Sequence, residues 1–220
     1  MDTIKNYIKK KQGDFEQHPF FDKITKSDSL DALSSVAERI SFWVMIFQDV
    51  LRLNEARFVD PNLSQVAKQH RLEDGGHNVW FLEDLNKLNT QEPKLTSLFQ
   101  DDHILIRDAA YALVSEVLEV RNDYERIALL LSIEGTAHSL FENTAVFCER
   151  IGYSKILKYF SYNHFNAEDN HESLMDDGLE ATLNNIHLSQ DEHKGIFEVI
   201  DHTYEAFTSM YDGLYAALVK

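Results

Sequence analysis

Tyr162-Asn163-His164-Phe165-Asn166-Ala167-Glu168-Asp169-Asn170-His171 is the stretch on which the reading of this chain turns. At about 100° per residue, His164, Glu168 and His171 fall within roughly 60° of one another on one helix face. Two imidazoles and a carboxylate so placed form a ready ligand set. Its nitrogen and oxygen donors suit iron or manganese rather than a metal that demands thiolate. The plain alternative is a solvated polar face in a chain with ten histidines.

Other stretches repeat the pattern. In His70-Arg71-Leu72-Glu73-Asp74-Gly75-Gly76-His77, Asp74 and His77 are three apart and Glu73 and His77 four apart, so either carboxylate shares a helical face with the imidazole. Further on, Glu134 interrupts the apolar run Ile127-Ala128-Leu129-Leu130-Leu131-Ser132-Ile133. A carboxylate in such a run is expected to be buried, and a buried charge needs a partner or a metal. His138 follows one turn later, as a ligand or, preferably, as a group orienting Glu134. One carboxylate from the earlier helix, with His77, Glu134, His164, Glu168 and His171, makes three carboxylates and three histidines. That is enough for two metal ions, in the manner of carboxylate-bridged sites built inside helical bundles. The ferritin version, with Glu-x-x-His on each of two helices, has no clean match here.

The periodicity around these motifs is helical almost throughout. It predicts helices over residues 3–17, 27–57, 60–88, 101–120, 123–151 and 154–186, the last with a break near Gly178, and a final helix from about residue 189. Asp60-Pro61 is a cap followed by proline at the first helical position, and Gly152 is a terminator. No segment sustains strand alternation. The expectation is an all-α bundle of about seven helices in one domain spanning residues 1–220. Gly75 and Gly76 fall inside the 60–88 helix, where each costs roughly 1 kcal/mol against alanine. They mark either a kink that lets another helix approach or a segment that orders when metal binds.

Composition narrows the function. Only three prolines and eight glycines argue against a turn-rich sandwich or barrel. With 21 Lys and Arg against 37 Asp and Glu, the net charge is −16, which repels nucleic-acid phosphates and anionic lipid surfaces. One cysteine makes neither an internal disulfide nor a thiolate zinc site and fits a reducing compartment. No run reaches the length of a membrane span, and the basic start lacks the apolar core of a signal peptide. A cytoplasmic protein acting on a small molecule, with no nucleic-acid or membrane partner, is expected.

Taken in order, a carboxylate and His, a lone Glu, then His-x3-carboxylate-x2-His resemble the haem-oxygenase-like di-iron oxidases, relatives of thiaminase II and haem oxygenase. His18-Pro19-Phe20-Phe21 and Trp80-Phe81-Leu82-Glu83-Asp84-Leu85 add to the likeness, which covers the chain from about His18 to the last helix. The resemblance implies a seven-helix haem-oxygenase-like fold without haem, two non-haem irons (manganese being an alternative) and O₂ as co-substrate. The implied reaction oxidises or cleaves a small amine, amino acid or fatty acid, and a homodimer is compatible with the fold. By position the ligands would be Asp74, His77, Glu134, His164, Glu168 and His171. The chain departs from the family in having Glu168 where Asp is usual and Asp74 where Glu is usual, so Glu73 stays a competing ligand.

Tyr159 and Tyr162 flank the set; as bundle aromatics they read as core, while a tyrosine beside an oxidising metal can donate an electron, so Tyr162 joins His138 as a catalytic candidate. His18 invites comparison with the proximal histidine of haem oxygenase, yet the glycine-rich distal signals are missing. Cys148 reads as a buried, inert thiol. His103, His187, His193 and His202 read as exposed, without chemistry. Two further readings stand beside the oxidase: a metal-free thiaminase-like hydrolase, and an interaction or regulatory protein that keeps the bundle without the activity.

Overall fold

The computed structural model describes residues 2–88, 90, 92–169 and 188–219. The helices that start at Pro19, Leu30, Pro61, Asp123 and Gln190 begin where the sequence supplies a side-chain cap. Helix α1 (Asp2–Phe15) gives way to α2 (Pro19–Lys26) at His18, whose Nδ1 accepts the Phe20 N–H while Pro19 takes the first helical position. The Ser29 hydroxyl caps α3 (Leu30–Glu55), and the Asp60 carboxylate caps α4 (Pro61–Glu73) by accepting from Asn62 and Leu63. There follow α5 (His77–Lys87), the short α6 (Leu95–Leu98), α7 (Ile104–Glu119), α8 (Asp123–Arg150), α9 (Tyr162–Asp169) and α10 (Gln190–Leu218). Helix α10 opens on a capping box between Ser189 and Glu192. Among the described residues the architecture is all-α, as the periodicity predicts.

The long helices make the core. Helix α10 packs along α7 and α8, and α3 packs on α7 and α10. Helix α8 is buried continuously from Glu125 to Ile133, which accounts for its lack of a polar stripe there. Helices α1 and α2 cover α8 and α10. The Tyr211 ring from α10 meets Phe15, Phe20 and Phe21 at centroid distances of 4.7, 5.0 and 5.2 Å. The His18-Pro19-Phe20-Phe21 signature is therefore a cap followed by two core anchors.

Two expected helices are corrected. The segment over 60–88 is two helices, because Gly76 sits at φ 95°, a left-handed conformation that ends one helix and starts the next. The segment from 154 is not helical until Tyr162. The backbone N–H groups of Lys158, Tyr159 and Phe160, which a helix would send to earlier carbonyls, go instead to the Asp84 carboxylate. The remainder of that predicted helix, from residue 170, lies outside the described residues.

Candidate metal centre

The break between α4 and α5 builds the centre of the site. Asp74 closes α4, its N–H donating to the His70 carbonyl one turn back at 3.0 Å. From α3, the Gln48 side chain donates to the Asp74 carbonyl at 2.9 Å and holds the turn. Asp74 is 1% exposed, and its two carboxylate oxygens face different partners. Oδ2 lies 3.2 Å from His70 Nε2, and Oδ1 lies 3.3 Å from His77 Nδ1, the first residue of α5.

Each side of Asp74 then gains another element. Glu134 of α8 places Oε1 2.8 Å from His70 Nε2. His70, Asp74 and Glu134 each offer a ligand atom, all within 4.8 Å of one another, so this group could hold a metal ion. On the other side, His164 of α9 brings Nε2 to 3.0 Å from His77 Nδ1. The Tyr159 carbonyl, which can only accept, lies 2.9 Å from His164 Nδ1. That bond puts a hydrogen on Nδ1 and leaves the Nε2 lone pair of a neutral ring turned toward His77. Two imidazole nitrogens 3.0 Å apart share one hydrogen between them. Among the described residues the group whose donors lie close enough for one ion is His70, Asp74 and Glu134, and its nitrogen and oxygen donors suit iron or manganese.

The rings are held by aromatic neighbours. Trp80 stacks on His77 at 4.8 Å, and Phe141 lies 3.8 Å from the His164 ring centroid. A cavity of about 50 Å³ opens onto Asp74, His77, Glu134 and His164. Its walls are apolar, from Ile40, Trp43 and Phe47 of α3, Leu140 and Phe141 of α8, and Phe207 and Met210 of α10. That volume holds on the order of four waters. It admits a small or slim molecule and little else.

A crystal structure of a domain of unknown function with a haem oxygenase-like fold, from Shewanella denitrificans OS217, superposes with a TM-score of 0.70 at 11% identity, over 98% of this chain and 91% of that one. The fold is haem-oxygenase-like. No protein-family model matches the sequence, and no curated protein matches it either.

Within this haem-oxygenase-like bundle the residues singled out from the sequence part company. Asp74, His77, Glu134 and His164 converge. Glu73, the competing carboxylate, is half-exposed and accepts from Gln69 on its own helix at 2.8 Å. His138 packs its ring against Phe165 at 5.1 Å, and Tyr162 packs on the same Phe165 at 6.1 Å; neither lines the cavity, whereas Tyr159 does. Helix α9 carries Glu168, but its side chain, and His171 entirely, lie outside the described residues.

His70 belongs to the site although the sequence pattern alone assigns it no role. Its signal is there, four residues before Asp74 and seven before His77, but the motif of the resemblance has no place for it. His18 is spent on its cap and on a 3.2 Å contact with Asp212. His103 is a correction: it is buried, not exposed, and packs between Arg39 and Asp102. Cys148 is fully buried, and burial, with the nearby Asp84 charge as a lesser cause, pushes its thiol up to about 12.

Proposed function

We propose that this protein is a non-haem, two-metal oxidase or oxygenase that uses O₂ to oxidise or cleave a small amine, amino acid or fatty acid. Iron is the metal favoured, with manganese as the alternative. The observation that carries the reading is Asp74: one buried carboxylate presents an oxygen to each of two donor groups, His70 with Glu134 and His77 with His164. Bound irons would supply the electrons and Lewis acidity for O₂ chemistry. The chain's own residues do the rest. Asp74 and the partly exposed Glu134 offset cationic charge at the wall of the small cavity, Tyr159 and Phe141 orient His164, and the α3 and α10 side chains line the cavity with apolar surface. The reading places the protein in the cytoplasm with a small-molecule substrate.

The metal-free hydrolase reading needs a nucleophile at the cavity. Cys148 does not line it and its burial disfavours the thiolate.

The test is an anaerobic Fe(II) titration of metal-stripped protein followed by exposure to O₂ with absorbance recorded. Close to two irons per chain and a transient visible band, both lost in Asp74→Ala, are expected. No iron or manganese uptake by folded wild-type protein rejects the reading.

A further inference from the structure

Asp84 is 0% exposed, and it has no place in the ligand set. Its Oδ2 accepts from the backbone N–H groups of Lys158 at 2.9 Å, Tyr159 at 2.8 Å and Phe160 at 3.3 Å; its Oδ1 accepts from the Lys158 N–H at 2.9 Å and from Lys87 Nζ at 3.2 Å. Three successive amides wrapped round one buried carboxylate set the course of the chain through 158–160. That is the turn whose Tyr159 carbonyl receives the His164 Nδ1–H.

The other end of the arrangement lies on the same helix. Asp84 is seven residues after His77, two turns on and about 20° away around α5. One short helix thus carries His77 at its first residue and, about 10 Å along, the carboxylate that grips the turn aiming His164. His77 and His164 come from segments 87 residues apart, yet their nitrogens sit 3.0 Å from each other. We infer that Asp84 is a positioning residue, which ties the 158–160 turn to α5 and so sets the tautomer and aim of His164 toward His77. Its consequence for metal binding rests on the function proposed above; the orientation of His164 does not.

A purely structural carboxylate would, when removed, lower stability and leave the His164 ring as it was. Glu125 supplies the control. It is 1% exposed, accepts from the Arg121 N–H at 2.6 Å and from its guanidinium at 2.8 Å, and lies nine residues before Glu134 on α8.

The experiment compares Asp84→Asn and the charge-conserving Asp84→Glu with Glu125→Gln and wild type. Long-range proton–nitrogen NMR of the imidazoles in metal-free protein reads the His164 tautomer, and Co(II) titration reads affinity. The wild type and Glu125→Gln should show His164 protonated at Nδ1. Whichever Asp84 variant folds should show mixed tautomers and a Co(II) Kd at least tenfold weaker. An unchanged His164 tautomer in a folded Asp84 variant overturns the inference, as does the same tautomer change in Glu125→Gln. If wild-type protein takes up no Co(II), the metal reading falls while the tautomer still judges Asp84.

Discussion

Asp74 and Asp84 are both buried carboxylates, ten residues apart on either side of the Gly76 break, and they do opposite things. Asp84 is surrounded by donors that cannot leave: three backbone amides and a lysine. Asp74 faces the imidazoles of His70 and His77, whose protons are exchangeable and whose lone pairs serve a cation as well as an acceptor. A buried charge with permanent partners becomes scaffold. One with exchangeable partners becomes a site.

The largest expected effect breaks the Asp74 side. Asp74→Ala removes an oxygen from both donor groups, and metal uptake measured by titration and elemental analysis should fall from close to two per chain to near zero. Retention of both metals would mean that Asp74 merely pairs with its histidines.

The Asp84 side breaks differently. Asp84→Ala strands several buried amide donors, and urea denaturation should show a loss of roughly 3 kcal/mol or more. A loss of only a few tenths would show that the amides find other acceptors.

Between the two carboxylates stands Gly76. A side chain at its left-handed φ costs about 1–2 kcal/mol, so Gly76→Ala should destabilise by that amount and weaken metal binding, since the turn sets His77 against Asp74. Hydrogen exchange over residues 70–80 sharpens the point. Protection should increase when iron is added; equal exchange with and without it would leave the glycines as a plain turn.

Cys148, held near Asp84, tests how dry the scaffold side is. With the thiol pushed up to about 12, only about one molecule in ten thousand carries thiolate at pH 8, and disulfide reagents should modify Cys148 only after unfolding. The folded state raises this acid's pKa. Its contribution to stability is therefore full below the ordinary thiol value of about 8.5 and is lost as pH rises from there toward about 12. Tyr204 and Tyr211, raised by burial, act in the same direction, so urea midpoints should decline above about pH 9. A flat profile to pH 10 would contradict this. The smallest effect is at Glu73, where Glu73→Gln should leave metal uptake within about twofold of wild type, because its carboxylate pairs with Gln69 on α4.

The sequence by itself determined the all-α class, the cap at Asp60, the start of the last helix near residue 189, and the buried run ahead of Glu134. Each depends on residues within a few positions of one another, where helical geometry alone decides which side chains are neighbours. Tertiary structure decided the rest. Whether 154–161 became helix was settled by Asp84, some 74 residues away, taking the amide hydrogens that a helix needs. Whether His70 joined the site was settled by α8, which brings Glu134 to it across 64 positions. Whether Asp74 or Glu73 turned inward was settled by the left-handed Gly76 and by Gln48 reaching over from α3. Periodicity states which face a residue shares, but not which other helix that face will meet, because that is set by packing between segments far apart in the chain.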